Sequence, residues 1–476
     1  MGFKFKPVVK AIPYESPSSC FKKIFCSPPG FLLESARENR VTGRYSFLGT
    51  DPYLTFKAEK NTVIIQKKGC PAKTLKGNPF LVLKALIDRF NFSRPPDLPP
   101  FFGGAVGFFG YEMVRYFERL PFQFREEIDF PDCFLLFVDT VIVFDHLERT
   151  GKIIYCPSPE DLLEKEWESL EKTGQEKVFL YSERLKTPPE YSRVLRSAFR
   201  TPAISPSISK EAFQENVLKC KEYIRNGEIY QANLSQRFTV SEVNASPLSL
   251  YEVLKTINPA PFSSFLDAGE FQVVSSSPER LVNLFQGRLN TRPIAGTRPR
   301  GRNSLEDTRL ASELIANEKE RAEHLMLVDL ERNDLGRVCE FGSVQVDELM
   351  SLESYSHVIH IVSNITGQIK KGKGWYDILK AVFPGGTITG VPKIRAMEII
   401  EELENVTRGP YTGSLGYISF SGDLDLNILI RTIFLTDGRG YIQTGAGIVA
   451  DSDPEKEYEE TIQKAHALFN AMELEI

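Results

Sequence analysis

Two Glu-x-x-Glu pairs stand far apart in the chain, Glu320 with Glu323 and Glu457 with Glu460. Each lies in a helically patterned stretch, LASELIANEKERAEHLMLVDLERND and DPEKEYEETIQKAHALFNAM. On a helix, positions i and i+3 share a face, so each pair projects two carboxylates the same way. Four convergent carboxylates suit a hard cation with oxygen ligands, and Mg²⁺ is such a cation that keeps several of its waters. The plain alternative is a solvated helix face. Glu-x-x-Glu is common, and the second segment also carries Glu455 and Glu459, so composition alone nearly guarantees the spacing. The sequence between the pairs is what lifts them.

That sequence is crowded with Gly, small polar residues and isolated cations. FPGGTITGVPKIRAMEIIEELE reads as a Gly-rich turn entering an amphipathic helix. RGPYTGSLGYISFSGDLDLNILIRTIF reads as two strands around the turn Ser421–Gly422–Asp423, and GYIQTGAGIVADSDPEKEYEE as a strand, a Gly turn and the second Glu helix. Gly-rich turns let backbone N–H groups approach an anion closely, and helix N-termini add favourable partial charge. The pattern points to a carboxylate or phosphate site. The spacing of Gly385 and Gly390 mimics a P-loop, but Val391 and Pro392 intervene before Lys393. A nucleotide P-loop is therefore rejected.

These residues need a scaffold, and the rest of the chain sets its class. A chain of 476 residues can bury one large core or two moderate ones. The net charge of −5 gives no electrostatic case for nucleic acid or an anionic membrane surface. The longest apolar runs fall short of a bilayer span. MGFKFKPVVKAIPYESP has too short an apolar stretch for a secretory signal, and Lys6 stands where myristoylation wants Ser or Thr. Seven cysteines without a Cys-x-x-Cys pair read as reduced thiols of a cytoplasmic protein, with no zinc site. NTVIIQKK and CFLLFVDTVIVFDH read as strands, KEAFQENVLKCKEYIRNGE as an amphipathic helix ending at Gly227, and IYQANLSQRFTV as a strand. A polar helical stretch and the Pro- and Ser-rich TPAISPSIS fill residues 156–207, either as a linker or as a surface excursion. They separate an N-terminal region, 1–155, from residues 208–476. Pattern alone gives an α+β fold with many strands.

RPIAGTRPRG at 292–301, SSSPERL at 275–281, AEHLMLVDLERNDLGRV at 322–338, FPGGTITGVPKIRAMEIIEELE at 383–404 and GAGIVADSDPEKEYEET at 445–461 resemble the chorismate-utilising enzymes. The nearest likeness is to anthranilate synthase component I and aminodeoxychorismate synthase component I. It is dense from about residue 210 onward and weaker in FLLES, GRYSFLGTDP and GGAVGFFGYEMVRYFERLP. The resemblance implies two packed, mostly antiparallel β-sheets with helices on the outside, with residues 208–476 as the chorismate-binding region. It also implies Mg²⁺ on the chorismate ring carboxylate, with Glu323 and Glu460 as direct ligands and Glu320 and Glu457 acting directly or through water. Tyr417, Arg431 and the backbone around Gly445 and Gly447 would hold the enolpyruvyl carboxylate, to which a planar Arg fork is suited. Lys464 would support the site electrostatically, or else is a solvated helix cation.

Glu279 matches the family's general acid, which protonates the departing hydroxyl; a carboxyl near other carboxylates can hold its proton at neutral pH. The alternative is a surface pair with Arg280. His360 matches the active-site histidine and Thr387 a substrate contact. On residue type alone they would be a core histidine and a turn hydroxyl. By the same resemblance, Ala295, Gly296 and Thr297 would lie along the substrate. Glu34 and Ser35, with Asn258, Pro259 and Pro261, resemble the family's tryptophan pocket, so bound tryptophan is a further expectation.

Gln231 bears on the nucleophile. Isochorismate and salicylate synthases of this superfamily carry Lys here, which activates water; an amide is not a base at physiological pH. Ammonia is the expected nucleophile. The chain shows no glutaminase-like Cys/His/Glu set, so a separate glutamine amidotransferase subunit is implied. Ala295 follows the anthranilate pattern, since many aminodeoxychorismate synthases have a nucleophilic Lys there. NPAPFSSFL at 258–266, Asn233 in QANLSQRF, GGTITG and GFFGYEMVRYFERLP follow the aminodeoxychorismate pattern. The reading places aminodeoxychorismate synthase first and anthranilate synthase second. A silent family member that binds a dicarboxylate or amino acid is the alternative from another class.

Overall fold

The computed structural model describes residues 6–35, 43–90, 92–121, 128–188, 203–243, 245–354 and 358–472. Among them are two twelve-stranded antiparallel sheets with helices on their outer faces. The α+β expectation holds. The strands Cys133–Val138 and Gly104–Phe109 show why the layers form. Successive strand side chains point to opposite faces. Phe134, Leu136, Val138, Val106 and Phe108 enter the core between the sheets, where they meet Phe31, Phe47, Phe271 and Phe434 of the other sheet. Cys133, Leu135, Phe137, Ala105 and Phe109 face the opposite way, under the helices Pro79–Ile87 and Trp375–Val382. Both faces are therefore apolar, and CFLLFV is a continuous apolar run. Burying each such Phe contributes about 1.5–3 kcal/mol.

Strands from before residue 156 and after residue 207 interleave in each sheet. In the first, Phe262–Asp267 pairs with Gly30–Glu34, and Phe271–Ser277 with Thr432–Thr436. In the second, Ser414–Ser419 pairs with Gly104–Phe109. Residues 189–202 of the polar connection lie outside the described residues. The helix Trp167–Lys186 before them packs on the first sheet, through Tyr155, Val178 and Tyr181, and the short helix Pro159–Glu164 precedes it. All seven cysteines are unbridged, and no helix among the described residues is long and apolar enough to cross a membrane.

Several local readings need refinement. The first glutamate stretch is two helices, Ser304–Ala316 and Glu318–Gly336, broken at Asn317, whose side chain accepts the Glu320 N–H. An Asn cap satisfies an N–H that the first helical turn leaves unpaired. The hairpin at Ser421–Asp423 is present, between Ser414–Ser419 and Leu424–Asn427. Gly445 and Gly447 do not form a turn. They lie inside the strand Arg439–Ile448, and the turn comes after it, closed by Ser452 against Val449. Lys393 opens the helix Lys393–Leu403, and its Nζ is spent on Asp334 and on the carbonyls of Val382 and Pro384. That lysine locks a loop in place, which agrees with rejecting the P-loop.

Candidate active site

The two glutamate pairs meet across the structure. The helix Pro454–Ala471 starts at Asp453, which caps the N–H groups of Glu455 and Lys456. Thr461 fixes it to the sheet beneath, receiving a hydrogen bond from Gln236 Nε2 at 2.6 Å and giving its carbonyl to Thr444 Oγ1 at 2.9 Å. The helix Glu318–Gly336 is fixed by His324, whose Nε2 lies 2.6 Å from Ser363 Oγ. Burial raises the Glu323 carboxyl above its ordinary range; Lys319 opposes this, and Glu320, Glu457 and Glu460 reinforce it. Burial likewise raises Glu457, with Glu460 adding to it. The four carboxylates thus share one electrostatic field. Each pair also has a cation at hand. Arg298 binds Glu320 at 2.8 Å, Lys464 binds Glu460 at 2.6 Å, and Lys319 stands 3.9 Å from Glu323. Among the described residues no three acidic, His or Cys side chains stand at metal-ligand spacing. The donor set is all oxygen, which suits a hard cation.

Glu279 lies deep in the site. The preceding Ser277 anchors its loop by donating to the Ile428 carbonyl at 2.6 Å, and Ile428 N–H returns a bond to the Glu279 carbonyl at 3.0 Å. Arg280 does not pair with it; its guanidinium forks onto Asp425 with two bonds of 2.9 Å. Burial pushes the Glu279 carboxyl up to about 7, against smaller opposing contributions from the Thr387 hydroxyl, the Ile294 backbone and Lys464. Glu279 Oε1 and Thr387 Oγ1 are wholly buried, and neither makes a hydrogen bond of full geometry. The hydroxyl is close enough to favour the carboxylate without satisfying it. Two such atoms side by side mark a place for a polar ligand group.

The cationic side of the site is Arg431 and Lys464. Arg431 makes no ion pair among the described residues; its Nη1 donates to the Lys464 carbonyl. Burial lowers its proton affinity, with Tyr411 and Glu460 opposing. Lys464 Nζ donates to the Gly445 carbonyl at 2.9 Å as well as pairing with Glu460, so it is not a solvated helix cation. His360 faces this pair. Its Nδ1 is 3.2 Å from the Gly296 carbonyl and 3.0 Å from Thr297 Oγ1. A carbonyl only accepts, so Nδ1 carries the hydrogen and Nε2 is the acceptor. Burial lowers the ring to about 4, which leaves it neutral at physiological pH. Thr297 and Ala295 flank a bulge in the pairing of Ile294–Pro299 with Val358–Gln368. Gly296 sits in the bulge at φ +69°, where an added Cβ would lie 2.9 Å from Glu320 Oε2.

Gln231 and Asn233 share one face of the strand Gln231–Val240, which pairs with Arg439–Ile448. They lean over the two glycines. An added Cβ would lie 2.4 Å from Asn233 Oδ1 at Gly445 and 2.6 Å from Gln231 Nε2 at Gly447. These glycines therefore make room for two amides.

Tyr417 is a correction. Its ring stacks on Phe101 at 4.7 Å and meets Phe47 edge-on at 5.3 Å, in the core between the sheets. The tyrosine beside Arg431 is Tyr411, whose hydroxyl would lie 3.0 Å from a Cβ at Gly445. Both occur in RGPYTGSLGY. Strand alternation carries Tyr417 to the core with Leu415, whereas Tyr411 precedes the strand Ser414–Ser419. Glu34, Ser35, Asn258, Pro259 and Pro261 form a separate group. Glu34 is buried, pairs in register with Ser263, and accepts from Tyr251 at 2.8 Å and Lys255 at 3.2 Å. Ser35 N–H donates to Ser46 Oγ, and Asn258 Nδ2 faces the Ser276 carbonyl at 3.5 Å. Pro259 and Pro261 lead from there into the strand Phe262–Asp267.

Two antiparallel sheets, a buried acid and facing glutamate helices define a class, and the chain belongs to the chorismate binding enzyme family, whose model matches residues 29–470. It is 45% identical over 462 residues to anthranilate synthase component 1 of Acetivibrio thermocellus, covering 96% of this chain and 93% of that protein. It is 42% identical over 472 residues to aminodeoxychorismate synthase component 1 of Bacillus subtilis, covering 98% and 97%. The solved anthranilate synthase component I from Streptococcus pneumoniae TIGR4 matches with a TM-score of 0.77 at 36% identity, covering 91% of this chain and 93% of that one.

The two tyrosines can be separated experimentally. Tyr411→Phe should weaken chorismate binding about tenfold, the cost of one hydrogen bond near a charged group, while thermal stability holds. Tyr417→Phe should leave binding unchanged. The reverse order, measured by equilibrium titration of both variants, would return Tyr417 to the site.

Proposed function

We propose that this protein is the chorismate-aminating component of a two-component synthase, with ammonia delivered by a glutamine amidotransferase subunit. The observation that carries this is Gln231. Its amide lies over Gly447 and its oxygen is buried with no donor among the described residues, at a position where activation of water would need a base. Glu279 is raised to about 7 by burial. It gives its proton to the departing hydroxyl, which leaves as water, and His360 stays neutral beside the ring. Arg431, Lys464 and Tyr411 hold one substrate carboxylate. Glu320, Glu323, Glu457 and Glu460 would hold Mg²⁺, which neutralises the other carboxylate when bound. Arg298, Lys464 and Lys319 balance the glutamates until then.

We read the product as 4-amino-4-deoxychorismate. NPAPFSSFL supports this, and so does Glu34, which already has an internal cation in Lys255 and needs no tryptophan ammonium. Ala295 favours the second reading, anthranilate with pyruvate, because it offers no nucleophile for a covalent intermediate.

Purified protein with chorismate, Mg²⁺ and ammonium should release little pyruvate. It should yield 4-aminobenzoate once a pyridoxal-phosphate-dependent aminodeoxychorismate lyase is added, and a chelator should stop both. Fluorescent anthranilate with stoichiometric pyruvate would promote the second reading. No consumption of chorismate would sink the amination proposal.

The pH dependence follows from Glu279. The acid works protonated, so kcat/KM should fall as pH rises through about 7. Glu279→Gln should lose at least about a hundredfold in turnover. A wild-type profile flat from pH 6 to about 9 would deny Glu279 this role.

A further inference from the structure

Among the described residues, Glu279 Oε1, Thr387 Oγ1, Gln231 Oε1 and Asn233 Oδ1 are buried polar atoms of the site without a hydrogen-bond partner. The first two belong to the acid and its neighbouring hydroxyl. The other two are amide oxygens, which can only accept. A buried acceptor left unpaired is costly, so its donor is expected to come from a ligand.

Asn233 is held for such a task. Its backbone N–H donates to the Thr389 carbonyl at 2.8 Å, and its Nδ2 faces the Thr387 carbonyl at 3.4 Å. Both contacts reach the turn Gly386–Ile388 and its flank. With the nitrogen engaged there, Oδ1 turns over the bare backbone of Gly445. Gln231, two residues earlier on the same face, lies over Gly447 with its Nε2, and its Oε1 is the buried acceptor. Positions two apart on a strand are about 6.6 Å apart. Two acceptors without a donor on one strand face call for a ligand with at least two donors.

We propose that Asn233 binds the attacking ammonia, with Asn233 Oδ1 and Gln231 Oε1 each accepting one N–H. This rests on the amination reading above and adds a residue that selects the nucleophile. Ammonia has three N–H bonds and one lone pair. Two bonds to amide oxygens leave the lone pair aimed at carbon. As the C–N bond forms and the C–O bond to the departing hydroxyl breaks, nitrogen gains positive charge, which the two amide dipoles stabilise. An alkylammonium is a stable product that loses its proton to solvent later. Water in the same place would become a protonated alcohol, and neither amide can take that proton. The pair thus favours ammonia by geometry and rejects water by lacking a base.

The test is steady-state kinetics with ammonium chloride as the nitrogen donor, at saturating chorismate and Mg²⁺. Asn233→Ala and the near-isosteric Asn233→Leu should each raise the KM for ammonium about tenfold, the loss of one hydrogen bond. The chorismate Kd, measured without ammonium, should stay within about twofold in both. Using two variants keeps the test open if one of them fails to fold. An unchanged ammonium KM, or a parallel loss of chorismate affinity, would overturn the proposal and leave Asn233 as a packing residue over Gly445. If the unaltered protein consumes no chorismate with ammonium, the amination reading fails, and the role of Asn233 fails with it.

Discussion

Arg408 and Glu404 form an ion pair almost out of contact with water, and its hydrogen bonds reach the segments that carry the amides, Thr387 and Tyr411. Arg408 Nη2 and Nε grip the two carboxylate oxygens at 2.6 and 3.0 Å. The same guanidinium donates to the Asn233 carbonyl at 2.7 Å and the Ile388 carbonyl at 2.9 Å. Glu404 in turn accepts both the N–H and the hydroxyl of Ser235 at 2.8 Å. The Arg408 N–H donates to Glu112, a buried acid pushed up to about 8 by desolvation. One charge pair therefore ties the amide strand, the Thr387 turn, the approach to Tyr411 and the N-terminal GYE motif. Burying two charges is costly and is repaid only when further hydrogen bonds satisfy them. Here they do. Removing either partner would leave an uncompensated buried charge, typically a loss of about 3–5 kcal/mol.

That lock explains how the site tolerates so many unsatisfied groups. An acid raised by burial and two amide oxygens with no donor among the described residues would each relax toward a partner on a soft scaffold. The surrounding backbone denies them one. Gly390 approaches the Gln231 carbonyl so closely that an added Cβ would lie 2.1 Å from it, which presses the Thr387 turn against the amide strand. The charges are also divided. Carboxylates gather on two helices, and Lys464, on the same helix as Glu457 and Glu460, reaches across to the Gly445 carbonyl of the sheet, beside Arg431.

Much of this was legible in the sequence. The glutamate helices, the Ser421–Asp423 hairpin and a strand in IYQANLSQRFTV follow from periodicity and turn residues, and the structure has all three, the strand starting at Gln231. The long motifs carried the family and thereby the two-sheet fold, which periodicity alone could not supply. What escaped depends on contacts between distant segments. Glu404 and Arg408 are charged residues at a helix end, and their i,i+4 spacing resembles any surface pair until the sheet closes over them. Tyr411 and Tyr417 both precede Arg431 and both pack in the core between the sheets, and only the reach of the Tyr411 hydroxyl to the Gly445 backbone beside Arg431 separates them. The glycines in GAGIV looked like a turn because Gly is so often placed where φ must be positive. Here the missing side chain matters, since two amides occupy the space. Asn233 was noticed as a family marker, but its orphaned oxygen has no signature in sequence.

The central claim is that the site admits ammonia and cannot activate water. Chorismate incubated with the protein and Mg²⁺ in ¹⁸O-enriched water, with ammonium rigorously absent, tests it directly. The expected result is unchanged chorismate with no isochorismate and no label incorporated, and consumption beginning only when ammonium is added. Steady formation of labelled isochorismate would contradict the account, because it would mean that a base within reach of the ring activates water after all.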